Sequence, residues 1–194
     1  MEASGQIRVA DALQQAVLRV DPSSGARTLL VGAGGGCGFF MAQGIVVTAS
    51  GQVLVTDPAQ LFNQDLDFSQ VLGCIVRVDP ISGNRTEIAS GFIPRGIALE
   101  ADGQVLVTAT QVRRFPMPGE PFPVFLGFNA IVRVDPVSGH RVIVSSETMG
   151  RGPGFQSPVS MAVERTGQVL IADERLRAIL RVDARRGDRA LIAR

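Results

Sequence analysis

The sequence predicts an all-β propeller built of four repeats, and three observations support this fold class. One segment occurs four times, a second precedes three of those copies, and both have the composition of β-hairpins. The first segment reads AVLRVDPSSGARTLL from Ala16, CIVRVDPISGNRTEI from Cys74, AIVRVDPVSGHRVIV from Ala130 and AILRVDARRGDRALI from Ala178. Such recurrence is typical of architectures in which neighbouring repeats bury a shared core.

The second segment predicts the two inner strands of each repeat. It reads GIVVTASGQVLVTD from Gly44, GIALEADGQVLVTA from Gly96 and SMAVERTGQVLIAD from Ser160, and the first repeat keeps only GQIRVAD from Gly5. Runs of Val, Ile, Leu and Thr on both sides of a glycine-containing turn indicate β-hairpins. Two consecutive hairpins form a four-stranded sheet, so we predict three four-stranded blades and a first blade that lacks its innermost strand.

The outer hairpin turns at Asp-Pro-x-Ser-Gly, a sequence suited to a tight turn. Proline fixes the first φ, the aspartate accepts hydrogen bonds from backbone N–H groups, and the glycine adopts positive φ. The fourth copy has Ala184 and Arg186 instead of Pro and Ser, so we expect its turn to be looser. The equivalent aspartates are Asp21, Asp79, Asp135 and Asp183. Their spacing of 48 to 58 residues matches one propeller blade.

We therefore assign residues 1–194 to a single propeller domain. The predicted blades cover approximately residues 5–31, 44–90, 96–145 and 159–193. A β-sandwich or a closed barrel would not require near-identical strand pairs at a fixed interval. The run Val53-Leu54-Val55 is apolar at every position, as expected when a sheet is covered on both faces by neighbouring sheets.

These segments resemble NHL-type propeller repeats. More broadly, they are similar to the six-bladed group that includes gluconolactonase-type enzymes and streptogramin lyase. The resemblance implies a ring of about six blades, whereas this chain supplies fifteen predicted strands, one fewer than four complete blades. Three arrangements therefore remain open: part of a longer propeller, a homo-oligomer that completes the ring, and a compact four-bladed ring.

Composition argues against several partners. The chain has 19 basic and 18 acidic side chains, so no large field attracts nucleic acid or anionic lipid, and we predict neither as a partner. No segment approaches the roughly 18 consecutive apolar residues of a membrane span, and the N-terminus lacks a signal-peptide pattern. We assign no compartment. The two cysteines, Cys37 and Cys74, leave open whether a disulfide forms.

The aromatic residues indicate a binding surface. Four long segments, 31–43, 58–73, 111–129 and 146–159, are predicted to lie on the upper face of the propeller, and all ten phenylalanines fall in these or similar connectors, outside the strands. We therefore favour a non-enzymatic module that binds a protein or small-molecule ligand on this face. The candidate ligand-binding residues are Phe39, Phe115, Phe122, Phe125, Phe128 and Phe155.

A structural role for these phenylalanines is the alternative, because aromatic side chains also pin long loops onto the blades beneath them. Segment 115–128, FPMPGEPFPVFLGF, is the best candidate for an exposed loop. Its prolines are expected to stiffen it and to prevent it from extending a sheet.

Carboxylates support an alternative function, a metal-dependent, lactonase-like hydrolase. Asp57 and Asp173 end second strands near the hub, where the resemblance places a metal or catalytic group. Asp65 and Asp67 alternate as the oxygen ligands of a calcium loop do. These four are candidate ligands for a divalent ion, and we predict no other cofactor. Repetition of an aspartate at the end of second strands, as at Asp11, also fits a structural cap on an adjacent loop.

No catalytic residue is assigned. His140 is the only histidine, and it follows a turn glycine at the surface, which disfavours Ser-His catalysis and a histidine acid or base. Arginines recur on the third and fourth strands, including Arg141 and Arg189. We predict that they form exposed ion pairs on the outer rim, each contributing little to stability.

Overall fold

The computed structural model describes residues 5–32, 41–58, 73–115 and 124–194, and it leaves undescribed the side chains of residues 112–115 and 124–126. The strands are β1 (Ile7–Asp11), β2 (Ala16–Val20), β3 (Arg27–Val31), β4 (Gly44–Val47), β5 (Val53–Asp57), β6 (Cys74–Val78), β7 (Arg85–Ser90), β8 (Ile93–Leu99), β9 (Val105–Phe115), β10 (Val124–Val134), β11 (Arg141–Ser146), β12 (Pro158–Val163), β13 (Gln168–Asp173), β14 (Ala178–Asp183) and β15 (Arg189–Ala193). Across the described ranges, no helix is long and apolar enough to cross a membrane.

The strands form four antiparallel sheets in chain order. The first contains β1 to β3, and the others contain β4 to β7, β8 to β11 and β12 to β15. The predicted fold class is thereby confirmed: an all-β propeller of three four-stranded blades and one blade that lacks its innermost strand. The sheets form a partial ring that does not close, so the compact four-bladed ring considered above is wrong.

The core lies between consecutive blades, because alternate residues of each strand face opposite neighbours. Val17 of the first blade packs with Val53 and Val55 of the second. Leu54, on the other face of β5, packs with Val105 of the third blade. The third interface contains Leu106 and Ile131 from the third blade and Val169, Ile171, Leu180 and Val182 from the fourth. The continuous apolar runs in the sequence therefore reflect burial on both sheet faces.

The innermost strand β8 lies close to the innermost strands β4 and β12 on either side of it at the hub. A Cβ atom on Gly44 would lie 2.6 Å from the carbonyl oxygen of Arg95, and one on Gly96 would lie 2.8 Å from the Cα of Ser160. Thr56 links two blades, since its hydroxyl donates to the Arg95 carbonyl and accepts from the Gly44 N–H. Glycine in the innermost strands β4 and β8 therefore permits the tight packing of the hub.

The third blade corrects one prediction. The described parts of segment 111–129 are mostly strand and not loop, because β9 continues to Phe115 and β10 begins at Val124, with Phe125 and Phe128 inside β10. All four prolines of the segment lie between these two strands, at positions 116, 118, 121 and 123. The prolines therefore bound the strands, and the β-branched and aromatic residues outside them extend the sheet.

The sequence left open whether a disulfide forms, and the structure answers this for Cys74. Cys74 begins β6, is 1% exposed and is disulfide-bonded. Cys37, the other cysteine of the chain, lies outside the described residues.

The Asp-Pro-x-Ser-Gly turns share one set of hydrogen bonds. Asp135 Oδ1 accepts from the N–H groups of Val137 and Ser138 at 2.8 and 2.7 Å, and the Gly139 N–H donates to the Asp135 carbonyl at 2.9 Å. The fourth turn is not looser as expected, because Asp183 accepts from its own following N–H groups at 2.8 and 3.1 Å. Asp and Gly therefore suffice for this turn.

Low pH should reduce the stability of the fold, because it protonates the Asp135 carboxylate. Hydrogen bonds from the N–H groups of Ser138 and Val137 lower its pKa from 3.8 to about 2. Between these two values the unfolded chain binds more protons than the folded protein, so stability is lost as the pH falls through this window. Between about pH 5 and pH 2, a range that includes both pKa values, we expect the unfolding free energy of Asp135→Asn to change less than that of the wild type. Denaturant unfolding at several pH values measures this difference, and parallel curves for the two proteins would contradict it.

Candidate functional site

The upper end of the hub gathers polar side chains from three blades. We call upper the end at which each second strand finishes and each innermost strand begins. Gln43 directly precedes β4, Arg95 lies in β8, and Ser157 directly precedes β12. Arg95 is half-buried, and its Nη1 lies 3.5 Å from the Ser157 Oγ. A cation and hydrogen-bonding groups therefore lie at this end of the hub, which we call the hub opening.

Asp173 lies just behind this opening and acts as a cap. It is 2% exposed, and its Oδ2 accepts from the Gln156 N–H at 2.8 Å. Its Oδ1 accepts from the N–H groups of Ser157 and Leu176 at 2.9 and 3.1 Å. This carboxylate therefore joins the connector entering β12 to the turn that follows β13.

The equivalent aspartates of the other blades have related roles. Asp57 is fully buried, and its Oδ1 accepts from the Met41 N–H at 3.1 Å in the connector that enters β4. Asp11 Oδ1 accepts from the Gln14 N–H at 2.9 Å. The structural-cap interpretation of these residues therefore agrees with their hydrogen bonds.

The described carboxylates form no metal-binding cluster. Both oxygens of Asp173 accept hydrogen bonds from backbone N–H groups. No group of three or more His, Cys, Asp or Glu side chains in the described ranges could hold a metal ion. The other two candidates, Asp65 and Asp67, lie outside those ranges.

The candidate phenylalanines occupy different environments. Phe155 is 3% exposed and packs in the core between the third and fourth blades, so it anchors its connector. Phe128 is half-buried against the core between the second and third blades. Phe115 ends β9 and Phe125 lies in β10, with side chains that are not described. Phe39 and Phe122 lie outside the described residues.

Arg189 is the residue whose role the sequence prediction missed. It is 7% exposed, and its guanidinium donates to the carbonyl oxygens of Ser146, Met149 and Pro153 at 2.8, 2.8 and 2.6 Å. It also lies over the Phe155 ring, 5.3 Å from the centroid. Burial lowers the pKa of its guanidinium below the usual range. The predicted exposed ion pair is therefore wrong for Arg189, which holds the connector between the third and fourth blades.

The same clamp occurs one blade earlier. Phe92 is fully buried, the Arg141 guanidinium lies 4.9 Å from its ring centroid, and Arg141 Nη1 donates to the Ser90 carbonyl at 2.7 Å. A signal for this clamp exists in the sequence, since Gly-Phe precedes the innermost strand at Gly91-Phe92 and again at Gly154-Phe155. Pairing this dipeptide with the recurrent fourth-strand arginine would have predicted the contact.

A hairpin arm extends beyond the upper end of the third blade. We use this name for residues 111–115 of β9 and 124–128 of β10, which pair from Gln111 and Phe128 to Phe115 and Val124. The two strands have 11 residues each, whereas β8 of the same sheet has 7 and pairs with β9 only as far as Thr110. The arm is therefore a two-stranded extension of this blade.

Comparison with known proteins yields structural matches alone. No family model and no curated protein matches the sequence. Solved structures that are similar include a gluconolactonase from Xanthomonas campestris (TM-score 0.67, 18% identity, 100% of this chain and 60% of that chain). Another is virginiamycin B lyase from Staphylococcus aureus (TM-score 0.54, 14% identity, 100% of this chain and 68% of that chain). A third is hydrazine synthase from Kuenenia stuttgartiensis (TM-score 0.60, 13% identity, 92% of this chain and 49% of that chain). The chain thus spans 60% of the length of the gluconolactonase, and the gluconolactonase-like and streptogramin-lyase-like propeller fold is confirmed.

Proposed function

We propose that this chain is part of a lactonase-like hydrolase that binds its substrate at the upper end of the hub. The observation that carries the proposal is the alignment of the entire chain with a gluconolactonase at a TM-score of 0.67. This likeness favours a hydrolase over the non-enzymatic module preferred from sequence. Because one fold hosts many activities, the polar groups at the hub must supply the further argument.

Arg95 is the side chain best placed for such a reaction. In lactone hydrolysis water adds to the ring carbonyl, the ring C–O bond breaks, and the product is a hydroxy acid. Negative charge develops on the carbonyl oxygen, so donors fixed around that oxygen lower the barrier. The Arg95 guanidinium is half-buried beside Ser157 at the hub opening, where it can donate to the developing oxyanion or to the product carboxylate.

Hydrolysis of glucono-δ-lactone by the purified chain tests this proposal. We expect turnover above the buffer rate, a loss of roughly 100-fold or more in kcat/KM for Arg95→Met, and no change for Arg165→Met, an exposed arginine at the opposite end of the blades. The assay is run with chelator and with added calcium or zinc, because a bound cation polarises a carbonyl when its ligands are in place. Absence of hydrolysis in all three conditions, or equal activity of Arg95→Met and wild type, would refute the proposal.

A second candidate function, a ligand-binding module, is favoured by the hairpin arm. A two-stranded hairpin is marginally stable alone in water, so an arm rich in Val, Leu and Phe gains stability when a partner covers it. The arm contains Phe115, Phe125 and Phe128, three of the candidate ligand-binding residues. A protein or small molecule bound there would contact it without requiring a catalytic group.

Shortening the arm tests this second function. In the variant, Asn-Gly replaces residues 112–127 and joins Gln111 to Phe128, which are paired neighbours in β9 and β10. The blade interfaces stay complete, so we expect a Tm close to that of the wild type. Compounds and peptides that raise the Tm of the full chain should fail to stabilise the variant. Stabilisation of both proteins by the same compound would place its site elsewhere.

A further inference from the structure

A groove lies between the third and fourth blades at their lower end, where each innermost strand finishes. Its volume is about 1000 Å³. One wall is the turn that follows β8 and includes Glu100 and Asp102, and the other is formed by residues 163–168 and 183–185 of the fourth blade. These two blades share a closed apolar core, so the groove belongs to an interface inside the chain. It lies at the opposite end of the blades from the hub opening.

Two arginines line this groove at positions where no other repeat has an arginine. Arg165 replaces an alanine that the first three repeats share, Ala101 in the third. Arg185 replaces a serine, an isoleucine and a valine, the last of them Val137 in the third repeat. Both arginines are exposed, and neither guanidinium forms an ion pair or a hydrogen bond within the described ranges. We call them the groove arginines, and the other blades form without them.

Most carboxylates of the groove already have partners within the fold. Glu100 Oε1 accepts from Arg133 Nη2 at 2.7 Å. Both oxygens of Glu164 accept from the Arg181 guanidinium at 3.0 Å. Asp183 Oδ1 accepts from two N–H groups of its own turn at 2.8 and 3.1 Å. The groove arginines are therefore left available to a ligand.

A glutamine adds a further donor to the same wall. In the third blade Gln104 Nε2 donates to Asp135 Oδ2 at 3.3 Å, and the equivalent glutamines of the first two repeats also bond to their turn aspartates. Gln168 is the equivalent residue of the fourth blade, and it lines the groove. Its side chain forms no hydrogen bond within the described ranges. The Gln168 amide is therefore available beside the groove arginines.

We propose that this groove binds a phosphomonoester, whose phosphate is held by the groove arginines and the Gln168 amide. Guanidinium groups bind phosphate through paired N–H donors. Two of them match the charge of a phosphomonoester, about −1.5 to −2 at pH 7. The acidic side chains that already have partners do not compete for these donors.

The rest of the ligand is expected to carry hydroxyl groups. One phosphate occupies only a small part of a groove of about 1000 Å³, so a larger molecule fits. On the facing wall Asp102 is exposed, and its Oδ1 accepts from the Gln104 N–H at 3.0 Å. A carboxylate at this position repels a second anionic group and accepts hydrogen bonds from hydroxyl groups. A phosphorylated sugar combines these two features.

Isothermal titration calorimetry with glucose 6-phosphate, inorganic phosphate and glucose tests the proposal. We expect glucose 6-phosphate to bind most tightly, inorganic phosphate more weakly, and glucose not at all at millimolar concentration. Arg165→Ala and Arg185→Val should each weaken the binding of glucose 6-phosphate by about tenfold or more. The third blade has these residues at the equivalent positions, so we expect the Tm of both variants to be unchanged. Arg27→Met is the matched control, because Arg27 is an exposed arginine of the first blade, and it should bind like the wild type.

Asp102→Ser separates the two parts of the ligand, because the second repeat has Ser50 at this position. Its affinity for glucose 6-phosphate should fall several-fold, whereas its affinity for inorganic phosphate should not fall. No binding of glucose 6-phosphate at millimolar concentration, or equal affinities of the wild type and the double variant Arg165→Ala/Arg185→Val, would overturn the proposal. Binding of glucose or inorganic phosphate as tight as that of glucose 6-phosphate would also overturn it. These measurements do not depend on lactone hydrolysis, whose proposed site lies at the upper end of the hub.

Discussion

Replacing Arg189 with methionine is expected to lower the free energy of unfolding by about 3 kcal/mol, and the Tm by roughly 6–12 °C. Methionine keeps much of the apolar stem but removes every donor. The carbonyl oxygens of Ser146, Met149 and Pro153 then lose a charged partner in a site where Arg189 is 7% exposed. Leaving buried acceptors unsatisfied costs about 1–3 kcal/mol each, less where water enters. Thermal and denaturant unfolding measure the loss.

The matched control for this substitution is Arg27→Met. Arg27 occupies the same fourth-strand position in the first blade, but its side chain is exposed. We expect its Tm to stay within about 1 °C of the wild type, since exposed arginines contribute little. If Arg189→Met and Arg27→Met have equal stability, Arg189 does not clamp the connector and the hydrogen bonds assigned to it are unimportant.

The repeats explain how much of the fold could be predicted from the sequence. Four copies of one hairpin segment and three of another predict the strands, their order and the missing innermost strand, because β-hairpins are local structures set by turn residues such as Asp135 and Gly139. Recurrent apolar positions such as Leu54 and Val55 also predict that both sheet faces are buried. Features repeated in every blade can therefore be predicted from the sequence alone.

Features of a single blade were harder to predict. The prolines at positions 116 to 123 suggested one long loop, yet β9 extends to Phe115 and β10 begins at Val124. Arg189 resembled its exposed equivalent Arg27 in sequence, and only the connector of the fourth blade buries it. Likewise, Arg95 reaches the hub opening beside Ser157 because distant segments meet there. Long-range contacts of this kind leave no local pattern.

Truncation of Phe92 to alanine is expected to lower the free energy of unfolding by about 3–5 kcal/mol. Phe92 is fully buried in the core between the second and third blades, among residues that include Leu54 and Ile75. Its removal leaves a cavity that the rigid blades fill only in part, and it also removes the ring beneath the Arg141 guanidinium. Denaturant unfolding should show a lower midpoint with an unchanged slope, because the surface exposed on unfolding stays nearly the same.

Phe92→Leu separates the two contributions of this side chain. Leucine fills most of the volume but offers no π face to Arg141, so we expect a loss of about 1 kcal/mol. A second comparison, Val137→Ala at a side chain that is 90% exposed, should leave stability unchanged. If Phe92→Ala instead unfolds at the same midpoint as the wild type, but compounds that raise the Tm of the wild type no longer stabilise it, the ring contacts a ligand and the anchoring role is wrong. A large loss of stability, restored mostly by leucine, identifies Phe92 as the residue that joins two blades through their connector.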